Sequence, residues 1–182
     1  MNAVITGASK GIGKAIAQKL YSKGINISIC SRNMDDLNTF KQELIANHTH
    51  HPKIHLFQAD VSKKGQVMAY AADIKAQLGT IDILINNAGI FIPGSLEDEA
   101  DGALEAMIDT NLYSAYHLTR ALLPEMKAAG SGHIFNMCSV ASIKAYPNGG
   151  SYAISKFALL GFSKCLREEL KPSAIKVTSI LP

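Results

Sequence analysis

The chain has 182 residues, of which 47% are apolar and 18% are charged, proportions that fit one globular domain with a sizeable core and exclude an intrinsically disordered segment. Its 18 basic and 15 acidic residues give a formal net charge of +3. No run of Lys or Arg forms a stripe that could follow a phosphate backbone, so nucleic acid is not expected as a partner. No apolar run reaches the length of a membrane span, so a membrane is not expected either.

Short apolar runs rich in β-branched residues alternate with longer amphipathic stretches, and this alternation predicts βαβ units around a parallel sheet. Six strands are predicted over residues 3–6, 26–31, 53–58, 82–86, 133–137 and 176–180, and five helices over residues 12–23, 34–47, 63–78, 103–127 and 151–171. Gly24 is expected to cap the first helix at its C-terminal end, Ser62 to cap the third at its N-terminal end, and Pro172 to stop the last one.

Crossovers between parallel strands are almost always right-handed. We therefore expect one α/β domain over residues 1–182, a doubly wound parallel sheet with helices on both faces in three αβα layers. No repeat, low-complexity tract or linker marks a boundary within the chain. Ligands bind at the carboxyl ends of the strands in such sheets, so the residues that follow each strand are the candidates for a functional site.

The first strand runs directly into a glycine-rich segment that opens a helix. Glycines allow positive φ and let the backbone approach a pyrophosphate closely, while the start of the helix attracts its negative charge. The spacing differs from the commoner G-x-G-x-x-G fingerprint, and a glycine-rich turn without a ligand is the alternative interpretation. The residues of this segment predicted to contact a dinucleotide are Gly7, Ser9, Lys10, Gly11, Ile12 and Gly13.

The T-G-x-x-x-G-x-G spacing that starts at Thr6 resembles the short-chain dehydrogenase/reductase family, and other motifs of that family follow in its order. An N-N-A-G sequence ends the fourth predicted strand at Gly89, Ser139 follows the fifth, and a Y-x-x-x-K pattern starts at Tyr152. The resemblance covers essentially the whole chain, and it extends to 3-oxoacyl-[acyl-carrier-protein] reductases and sepiapterin-type carbonyl reductases. It implies an NAD(P)-binding, Rossmann-like domain and an oxidoreductase that acts on CH-OH or C=O groups.

The resemblance also implies which residues hold the cofactor, with Asp60 at the adenine amino group and the N-N-A-G segment beside the adenosine. The second strand ends without an acidic residue that would bind a ribose diol, and Arg32 and Lys10 can offer positive charge to a 2'-phosphate. We therefore expect NADP(H); the alternative is that both cations are simply solvated surface groups. Outside the glycine segment the expected cofactor-binding residues are Ser31, Arg32, Asp60, Val61, Asn87, Ala88, Gly89, Tyr152, Lys156 and Pro182.

Tyr152 and Lys156 are four residues apart on one predicted helix, so their side chains share a face. A neighbouring ammonium stabilises a phenolate and brings the phenol into the working range of an acid or base. The hydroxyl of Ser139 can donate to a carbonyl oxygen as negative charge develops there. By resemblance Lys156 also holds the nicotinamide ribose, and Asn111 joins a proton relay. The predicted catalytic residues are therefore Asn111, Ser139, Tyr152 and Lys156, although Ser139 or Tyr152 taken alone could be structural.

The remaining polar clusters predict no further chemistry. Four histidines at positions 48, 50, 51 and 55 lack a cysteine or a carboxylate pair, so we expect a solvated loop and no metal. The cysteines Cys30, Cys138 and Cys165 lie in apolar segments and are expected to be free buried thiols. Since the sequence starts with a strand-like run rather than a signal peptide, a cytoplasmic protein is expected.

The helix over residues 103–127 carries apolar residues on more than one face, including Leu112, Tyr116 and Leu123, which favours a partner surface. The resemblance implies that this helix packs in a homo-oligomer, so we expect a homodimer or homotetramer through the 103–127 and 151–171 helices. Family members usually continue beyond position 182, so the sequence is expected to be truncated after its sixth strand, with the C-terminal substrate portion missing.

Two functions follow: an NADPH-dependent reductase of a small-molecule carbonyl substrate, or a non-catalytic NADP-binding module or inactive truncated enzyme. A 3-oxoacyl thioester, a ketone or aldehyde, and a pterin are the substrate alternatives.

Overall fold

A computed structural model describes all residues, 1–182, and contains one six-stranded parallel sheet in the order β3-β2-β1-β4-β5-β6. The order reverses between β1 and β4, which makes the gap between their carboxyl ends the switch point where ligands bind in such sheets. The strands are β1 (Asn2–Thr6), β2 (Asn26–Ser31), β3 (Ile54–Gln58), β4 (Ile83–Asn86), β5 (Gly132–Met137) and β6 (Ile175–Ile180).

The helices connect these strands and lie on both faces of the sheet. They are α1 (Gly11–Ser22), α2 (Met34–Ala46), α3 (Lys64–Leu78), α4 (Ala103–Ile108), α5 (Ser114–Ala128) and α6 (Gly150–Leu170). A π-helical segment (Asp109–Tyr113) joins α4 to α5, and a short 3-10 turn (Val140–Ser142) follows β5. None of the helices combines the length and apolar character that a membrane crossing requires.

Alternate residues of the strands bury their side chains on opposite faces of the sheet, which produces two separate cores. Val4 of β1 packs with residues of α3, α5 and α6. Its neighbours Ala3 and Ile5 pack with residues of α1 and α2 on the other face. The three-layer Rossmann-like fold predicted from the sequence is therefore confirmed.

Every predicted strand agrees with the observed one to within one residue at each end, but two predictions about helices are wrong. The 103–127 helix is interrupted by the π-helical segment. Ser62 does not cap α3, because its N–H and its hydroxyl both donate to the Asp60 carboxylate, and Lys63 takes the capping position without a side-chain hydrogen bond. Gly24 has φ +78° and donates its N–H to the Tyr21 carbonyl, as its predicted capping role requires.

The three cysteines differ in their exposure. Cys30 and Cys138 are buried, but Cys165 is exposed, so the prediction of three buried thiols is wrong for the residue on the outer face of α6. The apolar residues of the 103–127 segment pack within the chain. Leu112 packs against a cluster formed by Ala115, Cys138 and Leu159, and Leu123 packs against the core that contains Val4. Association through these helices therefore stays a prediction.

Candidate active site

The glycine segment after β1 forms a tight turn that carries the chain into α1. Gly7 and Gly11 have φ values of +65° and +59°, in the left-handed region that favours glycine. A Cβ atom at Gly13 would overlap the Gly7 carbonyl oxygen and the side-chain amide of Asn87. No acidic residue stands in the first turn of α1, so the positive end of this helix faces the loop without a competing charge.

Hydrogen bonds tie the glycine segment to the end of β4 across the switch point. The Thr6 hydroxyl oxygen accepts from the backbone N–H groups of Asn87 and Ala88 at 3.1 and 3.0 Å. The Asn87 side-chain amide donates to the carbonyls of Thr6 and Gly7 at 2.9 and 3.0 Å. These contacts fix the N-N-A-G segment and the glycine segment as one rigid wall.

A cleft of about 690 Å³ opens along this wall at the carboxyl ends of the strands, a volume within the range of small-molecule and cofactor sites. The predicted cofactor-binding residues that line it are Gly7, Ser9, Lys10, Ile12, Ser31, Arg32, Asp60, Val61, Asn87, Ala88 and Gly89. Gly11 and Gly13 do not line it; Gly13 instead makes room behind the loop. A volume of this size beside a glycine cradle and a free helix start fits a dinucleotide.

Charges gather at the end of the cleft that lies beyond β2 and β3. Burial opposes ionisation of Asp60, but hydrogen bonds from Ser62 and the positive charges of Arg32 and Lys63 outweigh it, so the pKa of Asp60 is lowered. Lys63 also lines the cleft, which no sequence pattern predicted, because its place depends on how the loop after β3 turns. Asp36 lines the cleft as well and offsets part of the positive charge.

The turn after β2 presents Arg32 at this end of the cleft. The Ser31 hydroxyl donates to the Asn33 carbonyl at 2.8 Å, and the Asn33 side-chain oxygen accepts from the N–H groups of Asp35 and Asp36 at the start of α2. The Gln58 amide donates to the Arg32 carbonyl at 2.9 Å. Asn33 also lines the cleft. It was not predicted to do so, although an Asn shortly before two acidic residues is a helix-start signal.

A second, smaller cavity of about 200 Å³ contains the predicted catalytic pair. Its lining residues are Ile12, Asn87, Gly89, Ile90, Phe91, Met137, Cys138, Tyr152, Lys156 and Pro182. Four of them, Ile12, Asn87, Gly89 and Ile90, also line the larger cleft. The two cavities are therefore adjacent, and a ligand that extends along the wall from the larger one reaches Tyr152 and Lys156.

Lys156 is buried, with 5% of its surface exposed. Its Nζ donates to the Met137 carbonyl oxygen at 2.8 Å and lies 5.8 Å from the centre of the Tyr152 ring. Burial lowers the pKa of Lys156, against a smaller raising effect of Cys138. Tyr152 is half-buried, and the ring of Phe91 meets it edge to face with 4.8 Å between centres. Tyr152 and Lys156 thus line the same cavity, and their catalytic roles stay a prediction.

Asn111 lies in the π-helical segment and is almost completely buried. Its amide donates to the Ile90 carbonyl at 3.0 Å and the Ser155 hydroxyl at 2.9 Å, and its oxygen accepts from the Ile90 N–H at 2.7 Å. A Cβ at Gly89 would lie 3.2 Å from the Asn111 oxygen and 3.5 Å from Lys156 Nζ. Asn111 therefore stands beside Lys156 behind Gly89, with its side chain engaged in holding the loop after β4.

Ser139 follows β5 and begins the 3-10 turn. Its Oγ accepts from the Ala141 N–H at 3.2 Å, and its own N–H donates to the Ser142 hydroxyl at 3.1 Å. Because Oγ acts as an acceptor there, its hydroxyl hydrogen is left for another acceptor. Ser139 does not line the smaller cavity itself, whereas its neighbour Cys138 does. The Pro182 carbonyl accepts from the Val140 N–H at 3.4 Å and so joins the end of β6 to this turn.

Comparisons with known proteins agree with this geometry. The family described as short chain dehydrogenase matches residues 1–182. The chain is 36% identical over 184 residues to dehydrogenase/reductase SDR family member 7B of Rattus norvegicus, covering 98% of this chain and 56% of that protein. It is 33% identical over 180 residues to an uncharacterized oxidoreductase of Staphylococcus haemolyticus, covering 99% of this chain and 76% of that protein.

Solved structures give the same result at the level of the fold. A metagenomic short-chain oxidoreductase in complex with NADP superposes with a TM-score of 0.93 at 34% identity, over 100% of this chain and 81% of that one. L-Sorbose reductase of Gluconobacter frateurii, complexed with NADPH and L-sorbose, gives 0.94 at 31% identity, over 100% and 68% of the two chains. The chain thus spans from 56% to 76% of the two curated relatives named above, and it belongs to the short-chain dehydrogenase family of oxidoreductases.

Proposed function

We propose that the protein is an NADPH-dependent oxidoreductase that moves a hydride between the cofactor and a carbonyl or secondary alcohol substrate. The observation that carries this proposal is the pairing of Tyr152 with Lys156 in a cavity that adjoins the larger cleft. The glycine cradle, the free start of α1 and the cleft volume support a bound dinucleotide. The bound cofactor supplies the hydride.

The residues of the smaller cavity are suited to handle the proton of such a reaction. Tyr152 is the acid that protonates the nascent alkoxide oxygen. The Met137 carbonyl uses one of the three Nζ hydrogens of Lys156, so two stay available for the Tyr152 hydroxyl and for a ribose hydroxyl. Ser139 orients the carbonyl by donating its hydroxyl hydrogen. Asn111 keeps the loop after β4 in place and joins the relay that returns a proton to Tyr152.

NADPH rather than NADH is supported by charge. Arg32 and Lys63 act on Asp60 from the same end of the cleft, and Lys10 also lines it. Positive side chains in this region attract a 2'-phosphate, and the planar guanidinium of Arg32 can bind it through two parallel hydrogen bonds. The NADP and NADPH complexes among the similar structures agree with this preference.

A neutral, apolar carbonyl compound is the substrate that the surroundings of Tyr152 favour. Phe91, Ile90 and Met137 line the smaller cavity, and Lys156 is the charged residue among its lining. Beside it, the turn after β5 exposes Val140 and Ile143 at 52% and 62% of their surfaces. Apolar groups of this kind favour an apolar substrate. Lys144 is the one charged side chain between Val140 and Gly150.

The test is NADPH oxidation against a panel of simple ketones, aldehydes, 3-oxoacyl thioesters and pterins. We expect turnover with at least one apolar member and a loss of about 10³-fold or more in Tyr152→Phe, because the acid is removed while the ring stays. Tyr113→Phe, at an exposed tyrosine that lines neither cavity, is the matched control and should keep full activity. NADPH binding without turnover of any substrate would instead indicate a non-catalytic NADP-binding module.

A further inference from the structure

Two loops meet over the start of α6, close to Tyr152. One is the segment 87–102 between β4 and α4, and the other is the segment 143–149 before α6. The Gly94 N–H donates to the Asn148 carbonyl at 3.3 Å and joins the two loops. The first loop also carries Phe91, whose ring contacts Tyr152. The position of this loop is therefore coupled to the position of the proposed catalytic acid.

Glu99 binds the start of α6 from this first loop. Its carboxylate accepts from the Ser151 N–H at 3.2 Å and also from the Ser151 hydroxyl. The helix has no side-chain cap of its own, since Gly149 holds the capping position. A carboxylate at the start of a helix satisfies a free N–H and interacts favourably with the helix dipole. Glu99, 52 residues away in sequence, thus performs the capping role that a neighbouring residue performs elsewhere.

The backbone of α6 is shaped for this close contact. Ser151 is almost completely buried, and it immediately precedes Tyr152. Gly150 has φ +22°, and a Cβ there would lie 2.7 Å from the Gly94 carbonyl oxygen and 2.9 Å from Glu99 Oε2. Any side chain at position 150 would separate the first loop from the helix. The contact is therefore part of the packed structure rather than an exposed hydrogen bond.

We infer that Glu99 is a positioning residue for the proposed reaction: by holding Ser151, it fixes the first turn of α6 and keeps the Tyr152 hydroxyl at the cavity. The inference rests on the proposed function. Neither Glu99 nor Ser151 lines the larger cleft, so loss of the contact should change the NADPH Kd little. It should slow the step that needs Tyr152 in place, because a displacement of about 1 Å in a reacting group can reduce the rate as much as 100-fold.

The experiment compares Glu99→Ala, Glu99→Gln and Glu97→Ala in the full chain. Glu97 is an exposed carboxylate of the same loop and serves as the matched control. We expect Glu99→Ala to lower kcat by about 10- to 100-fold with a small change in KM and in the NADPH Kd. Glu99→Gln should recover most of kcat, because the amide oxygen can accept from the Ser151 N–H while the amide group donates to the hydroxyl oxygen. Glu97→Ala should match the wild type.

Hydrogen exchange of the peptide 149–157 separates this inference from the proposed function, because it needs no substrate. Glu99→Ala should lose amide protection in this peptide, whereas Glu97→Ala should keep it. Unchanged protection, or lost protection with an unchanged kcat, would overturn the positioning role. A wild type that turns over no carbonyl substrate would overturn the proposed function even with the exchange result as expected, and the role of Glu99 in the reaction would be overturned with it.

Discussion

Gly13 shows how the absence of one side chain shapes the cofactor cleft. A methyl group in Gly13→Ala would press on the Gly7 carbonyl and on the Asn87 amide, which donates a hydrogen bond to that carbonyl. The glycine segment must therefore shift, and we expect the NADPH Kd to rise about tenfold or more, a loss of at least about 1.4 kcal/mol in binding free energy. Fluorescence titration of the reduced cofactor measures this change.

Gly65→Ala is the control for that substitution, because Gly65 lies in the first turn of α3 with no atom within 4 Å of an added Cβ. Reducing the freedom of the unfolded chain should stabilise this variant by about 0.5 kcal/mol, and its NADPH Kd should equal that of the wild type. Equal Kd values for both alanine variants would show that the packing behind the loop does not matter for binding.

Burial of Lys156 links the stability of the fold to pH. Burial disfavours its ammonium form and lowers its pKa below the ordinary value of 10.5. Between the lowered value and 10.5 the unfolded chain therefore binds more protons at this residue than the folded chain does. The contribution of Lys156 to the free energy of unfolding is thus least favourable at neutral pH, and it becomes more favourable as the pH rises through this range.

Lys156→Met removes this titration and should abolish turnover. We expect the unfolding free energy of the variant minus that of the wild type to be largest at neutral pH. It should decrease toward pH 10.5, by about 1.4 kcal/mol in total for each unit by which the pKa is lowered. Urea unfolding over a pH series measures it, with Lys164→Met, at an exposed lysine of the same helix, as control. A difference that does not vary with pH would contradict the buried charge.

Strands are the elements that local sequence determines best in this chain. Each is a short β-rich apolar run between turn residues, and in a sheet covered on both faces such runs have few alternatives. The Tyr152 and Lys156 pair was predictable for a similar reason, because helical spacing alone places two side chains on one face. Features that depend only on residues a few positions apart could therefore be predicted from the sequence.

Elements whose form depends on distant contacts were not predictable. The 103–127 segment has the pattern of one helix, but a π-helical turn interrupts it at Asn111, which bonds to Ile90 across 21 residues. Ser62 looks like a helix cap, yet the nearer Asp60 carboxylate takes both of its hydrogens. The contact of Glu99 with Ser151 joins residues 52 apart. Single-sequence patterns carry no information about such pairs.

At the scale of the whole molecule, the cluster of charged residues and the Tyr152–Lys156 pair lie along one wall of the sheet. Cations after β2 and β3 stand at one end, the glycine segment and N-N-A-G segment form the middle, and Tyr152 with Lys156 stands at the other. This order follows from the strand order, because the switch point between β1 and β4 lies between the two ends. A ligand that spans the wall would contact the segments after all six strands, so its binding should stabilise the fold as a unit.

Thermal unfolding with each cofactor tests this coupling and the cofactor preference together. At 100 times its Kd, a ligand that binds only the folded state adds about 2.7 kcal/mol to the unfolding free energy, which raises Tm by about 5–10 °C for a domain of this size. At equal concentrations NADPH should raise Tm more than NADH. Arg32→Ala should reduce the NADPH shift and leave the NADH shift unchanged, because only the 2'-phosphate loses a partner. The control is Lys19→Ala, at the end of α1 and outside the cleft lining, which should change neither shift. Equal Tm shifts by NADPH and NADH in the wild type would refute the NADPH preference.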